Sequence, residues 1–308
     1  MKISVVIPVY NEEENIFELY ERLKKVLIQD FSSFTHEILY VDDGSFDKTL
    51  NVIKELQLKD SDIKILQLSR NFGHHVAISA GLDNAEGDFI VTMDGDLQDQ
   101  PEELIKLYNK LQEGYDVVFG DRQNKKFSYS KILLSKIFIS LIQLLIAEKI
   151  VINSHVFRIM RKDVVDKVKE CRETNRYVIG LIGWVGFKHS SISVEHGKRF
   201  KGETKYNFGK LVKLALDAIF SFSNYPLRLV VYLGLGIVFL SFILIFYVFF
   251  KKIVYGVAAV GWTSLIASIF FIGGIQIFVL GLIGEYIGRI YMETKRRPLY
   301  VVKNFIKK

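Results

Sequence analysis

A chain of 308 residues, half of them hydrophobic and with a formal net charge of +7, has room for one large domain and an added segment. Its single cysteine, Cys171, excludes a disulfide framework and any multi-cysteine metal centre, and suits a reducing compartment. The basic residues are not interleaved with aromatics as in a nucleic-acid-binding module, so nucleic acid is not an expected partner and the positive charge points to an anionic membrane surface.

The first 120 residues alternate strand-like apolar runs with amphipathic helical ones. In chain order they are the strand "ISVVIPVY", a helix from Asn11 to Gln29, the strand "HEILYVDD", a helix from Asp47 to Lys59 and the strand "IKILQLS". A helix from Gly73 to Ala85, the strand "DFIVTMD", a helix from Pro101 to Glu113 and the strand "YDVVFGD" follow. In the first helix Ile16, Leu19, Tyr20, Leu23, Val26 and Leu27 recur at helical spacing, so one face packs on a sheet. The alternation predicts an α/β fold, a mostly parallel sheet with helices on both faces. Ligands of such sheets bind beyond the carboxyl ends of the strands.

Polar residues gather at those ends. The first strand runs into Pro8, Tyr10, Asn11 and Glu12; the second ends in Asp42 and Asp43 of "DDGS", the fourth in Asp94 and Asp96 of "DGD", the fifth in Arg122 of "GDR". Asp47 is expected to cap a helix, and Asp99, with Pro101 in the first turn, to begin the next one. Asp42, Asp43, Asp94 and Asp96 crowded on one rim would need a cation or hydrogen-bond donors to stay ionised. An extended backbone would turn Asp94, Asp96 and Gln98 to one side. Their hard oxygen atoms suit Mg²⁺ or Mn²⁺ and not zinc. A cation of that kind keeps sites for substrate phosphates, which implies a nucleoside diphosphate leaving group. No "GxxxxGK[ST]" is present and no "GxGxxG" follows the first strand, against an ATPase or a dinucleotide enzyme.

Farther along, "SKILLSKIFISLIQLLIAEKI", bordered by Lys131, Lys136 and Lys149, reads as a helix lying in a membrane interface, and Phe208 to Pro226 as a second; core helices of the soluble domain are the alternative. Two uncharged runs, between Arg228 and Lys251 and from Ile253 to Gly284, can each span about 30 Å of hydrocarbon at roughly 1.5 Å per helical residue. A transmembrane hairpin is predicted, with both flanks cytoplasmic because the tail is rich in Lys and Arg; Lys251 and Lys252 in the connector weigh against this orientation. No signal peptide is expected, since "ISVVIPVY" is short and runs straight into "NEEEN". Small residues in "GGIQIFVLGLIGEYIG" would allow close helix packing and a homo-oligomer.

"VVIPVYNEEENI", "LYVDDGSFDKT", "LSRNFGHHVAISAGLDNAEGDFIVTMDGDLQDQPEEL" and "VVFGDR", in that order, resemble the family-two glycosyltransferases of the glycosyltransferase-A fold. With "RFKGETKYNFGKLVKLALDAIFSFSNYPLRL" the resemblance narrows to the polyprenyl-phosphate glycosyltransferases, the group of dolichol-phosphate mannose synthase and the bacterial undecaprenyl-phosphate glucosyltransferases, and covers nearly the whole chain. It implies a nucleotide-sugar core at 1–125, an acceptor-side segment at 126–226, two transmembrane helices at 227–285 and a basic cytoplasmic tail at 286–308, in a bacterial inner membrane. Pro8, Tyr10, Glu12, Asp42 and Asp43 would line the nucleotide pocket, Asp94 would lie between nucleotide and metal, and Asp96 and Gln98 would complete the metal site. Arg122, helped by Lys136 or a neighbouring lysine, would hold the acceptor phosphate, while Arg199 and Lys205 would close over the diphosphate; solvated loop charges are the alternative for that last pair. UDP-glucose is the expected donor and GDP-mannose or another nucleotide sugar the alternative. A processive polysaccharide synthase is disfavoured because "QxxRW" is missing.

One position departs from the pattern. Many relatives carry an Asp before the Phe-Arg pair, a candidate base, where this chain has Val156, with His155 beside it. A lipid phosphate with a second pKa of about 6 is already largely ionised at neutral pH and needs little base catalysis. A single displacement on an α-linked donor would then give a β-linked product. For Arg158 in "FRIM" a structural role and a phosphate-positioning role both stay open.

Overall fold

The computed structural model describes residues 1–122, 156–174, 176–195, 197, 225–255 and 261–307. They divide between two compact units: one drawn from Met1–Gln143, Glu148–Lys210 and Pro298–Lys308, the other mainly from Leu211–Arg297.

The first unit is built on an eight-stranded sheet. Its strands are β1 (Lys2–Val9), β2 (Thr35–Asp42), β3 (Ile63–Leu68), β4 (Phe89–Thr92), β5 (Val117–Arg122), β6 (Arg158–Arg161), β7 (His189–Val194) and β8 (Val302–Ile306). They lie in the order β7-β5-β6-β4-β1-β2-β3-β8, with β6 and β8 running against the rest. The helices are α1 (Ile16–Asp30), α2 (Thr49–Lys59), α3 (His74–Asn84), α4 (Leu104–Gln112), α5 (Lys162–Glu170) and α6 (Val178–Trp184).

Both faces of the sheet are covered, which is why its central strands read as unbroken apolar runs. In β1, Ile3, Val5, Ile7 and Val9 face Leu19, Leu23, Ile53, Leu56, Leu104 and Leu107 of α1, α2 and α4. Val6 faces the opposite layer, where Ala77 and Ile78 of α3, Val164 and Val168 of α5 and Val178 and Ile182 of α6 pack. Each such side chain contributes about 1.5–3 kcal/mol by leaving water, so the two layers fix the register of the central strands. Asp47 does serve the first turn of α2: its Oδ1 accepts the Thr49 amide at 3.0 Å, two residues before helical geometry begins.

Three strands lie beyond the alternating region. β6 inserts between β4 and β5, and β7 extends the sheet past β5, so residues beyond 125 complete the sheet. The tail at 286–308 is not a free appendage either: Val302–Ile306 pairs with β3. Gln57 Nε2 donates to the Ile306 carbonyl at 3.0 Å, and the Tyr300 hydroxyl to Asp83 Oδ2 at 2.9 Å, tying the tail to α2 and α3.

The second unit contains α7 (Tyr225–Tyr255) and α8 (Trp262–Thr294). Among the described residues one helical stretch, Ser268–Thr294, is long and apolar enough to cross a membrane, and none of it is buried. It lies farther toward the C-terminus than the expected run from Ile253 to Gly284. In α7 a shorter apolar stretch covers Val230–Ile243. Phe270 and Phe278 are 78% and 64% exposed, which excludes a buried core helix. The expected interface helices, at 130–150 and 208–224, lie outside the described residues.

Candidate active site

Strand order reverses at β1, which has β2 on one side and β4 on the other. Such a switch point opens a crevice at the carboxyl ends. The β1–β4 ladder stops at Val6↔Thr92, whereas β1 follows β2 as far as Val9↔Asp42. Val6 offers its carbonyl toward β4, to Met93. Pro8, of the same parity, therefore lacks its N–H just where no ladder bond remains to be made.

The chain turns immediately after β4. The extended path expected from Asp94 to Gln98 is not what forms: Asp94 leaves the strand, a turn follows at Gly95 and Asp96, and Leu97 takes a left-handed φ of 61°. A Cβ on Gly95 would lie 2.9 Å from Val9 Cγ1 and 3.4 Å from the Pro8 carbonyl, so only glycine lets the turn close over the end of β1. Asp96 is 8% exposed and its Oδ1 accepts the Gln98 amide at 3.1 Å. Asp99 does not start the next helix. Its buried Oδ2 turns back to accept the Asp94 amide at 3.1 Å, and the helical region opens instead with a 3₁₀ turn at Pro101–Glu103.

At the end of β2 the two acids have different roles. Asp43 accepts the amides of Phe72 and Gly73 at 2.7 and 2.9 Å, holding the loop into α3. Asp42 Oδ1 accepts the Ser45 amide at 2.9 Å, while its buried Oδ2 has no hydrogen-bond partner among the described residues. Burial pushes both carboxyls above the ordinary aspartate value, against the hydrogen bonds that oppose it. Between them and α3, Gly44 has φ of 72°, and a Cβ there would meet the Arg70 carbonyl carbon at 2.6 Å. Asn11 and Glu12 join the loops after β1 and β2: Asn11 Oδ1 accepts the Phe46 amide at 3.0 Å, and the Glu12 amide donates to Thr49 Oγ1 at 2.8 Å. Tyr10 lies edge-on to Phe46, at 5.9 Å between ring centroids.

On the other flank of Asp94, His74 Nε2 lies 3.4 Å from Asp94 Oδ1. His75 contacts Tyr177 edge-on at 5.3 Å, and its buried Nδ1 has no hydrogen-bond partner among the described residues. Burial, then His74 and Arg158, push the His75 imidazole down to about 3, so it is neutral. Neither histidine carries a sequence signal beyond the "HH" at the start of α3; it is the end of the neighbouring strand that gives them meaning. Val156 offers only its carbonyl, which accepts the Thr92 hydroxyl.

The rim thus assembles Pro8, Tyr10, Glu12, Asp42, Asp94, Asp96 and Gln98 from three strand ends. Arg122 ends β5 opposite Val194. Its side chain, with Lys136, Arg199 and Lys205, lies outside the described residues, although the Gly197 amide donates to the Gln98 carbonyl at 3.0 Å and so brings the chain before Arg199 to the turn. Among the described residues no three His, Cys, Asp or Glu side chains are grouped to hold a metal. Asp94 and Asp96 on the turn after β4 offer hard carboxylate oxygens, which fit a cation that takes further ligands from a diphosphate and not a closed protein cage.

Residues 4–169, more than half of the chain, match Glycosyl transferase family 2. The chain belongs to this family. Residues 225–290 of this family 2 glycosyltransferase match the GtrB C-terminal hairpin. It is 42% identical to an uncharacterised glycosyltransferase of Synechocystis, over 99% of this chain and 95% of that one. Identity is 40% with the prophage bactoprenol glucosyl transferase homolog of Escherichia coli K12, over 98% and 99% of the two chains. With the bactoprenol glucosyl transferase of Shigella phage SfV it is 38%, over 99% of each. In solved structures the fold recurs in mannosyl-3-phosphoglycerate synthase of Rubrobacter xylanophilus, with a TM-score of 0.50 at 14% identity, over 76% of this chain and 75% of that one. It recurs again in a mannosyltransferase of Pyrobaculum calidifontis solved with GDP-Man and Mn²⁺, at a TM-score of 0.50 and 16% identity, over 71% and 63%. The α/β architecture is that of the glycosyltransferase-A fold.

Proposed function

We propose that this chain transfers glucose from UDP-glucose to the phosphate of a polyprenyl lipid of the bactoprenol type. The observation that carries the reading is the open acid rim at the β1/β4 switch point, in a chain that aligns almost end to end with proteins named bactoprenol glucosyl transferase. Asp42 supplies a buried carboxylate oxygen that still lacks a donor, and a nucleobase N–H is such a donor. Pro8, Tyr10 and Glu12 line the same pocket. Asp94 and Asp96, with Gln98, would hold Mg²⁺ or Mn²⁺, which when bound neutralises the charge developing on the departing diphosphate. Arg122 and Lys136 take the acceptor phosphate, and Arg199 and Lys205 close over the donor. Because the lipid phosphate is already ionised, a residue such as Val156 in place of a carboxylate leaves the displacement intact, and in-line positioning carries the rate.

The tail supports a two-span hairpin. β8 is in the same sheet as β1–β7, so the chain must return after α8 to the side from which it left. If Ser268–Thr294 crosses the membrane, an even number of crossings needs a second span before it, and α7 is the described helix available for one. The Lys and Arg of the tail support a cytoplasmic location for that shared side.

Membranes containing the protein, given a panel of radiolabelled nucleotide sugars including UDP-glucose and GDP-mannose with Mg²⁺ or Mn²⁺, should convert UDP-glucose into an acid-labile, organic-soluble product with a β linkage. Absence of lipid labelling from every donor overturns the enzyme reading. Labelling from GDP-mannose alone overturns the choice of sugar, and an α-linked product overturns the single displacement.

A further inference from the structure

Arg158 has no hydrogen-bond partner among the described residues. Its side chain is fully buried, and Nε, Nη1 and Nη2 are all unpaired. The other buried charged groups differ: Glu37, Asp42, Asp43, Asp96, Asp99 and Glu103 each accept at least one hydrogen bond, and Arg176 donates one to the Val168 carbonyl at 2.6 Å. An unpaired buried ion works against folding. It cannot relieve that cost by losing its proton, since burial lowers the guanidinium only to about 10 while Tyr177 and Asp94 oppose the shift.

Its location suggests what it does. In the sheet Arg158 is registered between Thr92 of β4 and Phe119 of β5. Paired neighbours share a face, and Phe119 belongs to the layer formed with α3, α5 and α6. The guanidinium is therefore on the side of His74, His75 and Tyr177, two residues short of Asp94, and its charge is felt by both histidines. Arg158 is thus a fixed positive charge behind the end of β4, on the Asp94 side of the rim, and it is too deep to touch a substrate.

We propose that Arg158 is a positioning residue: a fixed counter-charge that acts through Asp94 to hold the acid rim ready for the nucleotide diphosphate. The inference rests on the nucleotide-sugar reading of that rim. Its discriminating feature is that the residue serves the site at the expense of the fold, so Arg158→Met and Arg158→Lys separate the two roles. In full-length protein in detergent, Arg158→Met should keep or raise the thermal unfolding midpoint. It should weaken UDP binding in the presence of Mn²⁺, measured by calorimetry without turnover, by at least about tenfold. Arg158→Lys, which retains the charge, should recover most of that loss. If Arg158→Met instead lowers the midpoint or fails to fold, the role is structural and the proposal is overturned; UDP binding within twofold of wild type overturns it as well. If wild type itself binds no UDP, the nucleotide reading falls and the inference with it, whereas wild-type binding with an indifferent Arg158→Met removes only the inference.

Discussion

The two ends of the central strands hold the same kinds of buried acid in opposite conditions. At the amino end, Glu37 is 1% exposed and its charge is matched: Lys64 Nζ lies 2.5 Å and Lys2 Nζ 3.5 Å from Oε1, an ion-paired oxygen without a hydrogen bond among the described residues, while the Ser4 hydroxyl and the Glu86 amide, the latter at 3.0 Å, donate to Oε2. Burial alone would raise this carboxyl, but those partners hold it below the ordinary glutamate range. At the carboxyl end, burial prevails over the hydrogen bonds of Asp42 and Asp43, and among the described residues one oxygen of Asp42 lacks a donor and Arg158 has no hydrogen-bond partner. The amino end stabilises the sheet by satisfying each charge locally. The carboxyl end leaves charge unsatisfied, and that is what a ligand can use.

The comparison is broken most directly at Asp96. Asp96→Ala should lower sugar transfer by about a thousandfold or more while the unfolding midpoint moves by only a few degrees. Residual transfer at a tenth of the wild-type rate would mean that the open end is not catalytic. At the other end the effect should be reversed. Glu37→Ala leaves the buried Ser4 hydroxyl and the Glu86 amide without their acceptor, while Lys64 keeps Glu86 at 2.8 Å, and should cost about 1–3 kcal/mol in urea unfolding, with unchanged turnover per folded molecule. A loss of turnover without a loss of stability would erase the distinction.

Acidification tests both ends together. Glu37 has a lowered folded-state pKa, so its contribution is complete above the ordinary value of 4.5 and is lost as pH falls below it. Asp42 and Asp43 have raised values; their protonation, beginning above the ordinary 3.8, removes charge from the rim without costing stability. Transfer activity should therefore decline at a higher pH than near-ultraviolet dichroism does. Superimposed curves would contradict this. The smallest expected effect is that of Asp42→Asn, which should raise the KM for the nucleotide sugar severalfold at equal or slightly higher stability; an unchanged KM would take Asp42 out of the pocket.

Much of the first 122 residues could be read from period alone, because strands buried on both faces and helices with one apolar stripe leave distinct patterns. β6, β7 and β8 could not. "RIMR", "HSSISV" and "VKNFI" are short and partly polar, and become strands only because β4, β5 and β3 offer them open ladders. The acids of the rim were legible, since strand ends in such a fold converge. Their local geometry was not: Leu97 adopts a left-handed φ that its residue type disfavours, which turns Asp99 back onto Asp94 and cancels the parity argument for Gln98. Contacts between distant segments, such as His74 with Asp94, leave no trace in spacing.

The pairing of β8 with β3 also sets an order of assembly. Val302–Ile306 leaves the ribosome only after both long apolar helices have been made, so β3 keeps an open edge through most of synthesis. An unpaired edge of that kind invites association with other chains. Closing it with the last strand makes completion of the catalytic sheet depend on a full-length chain, so a product cut short after α8 would carry an exposed edge into the cell and become a ready target for quality control.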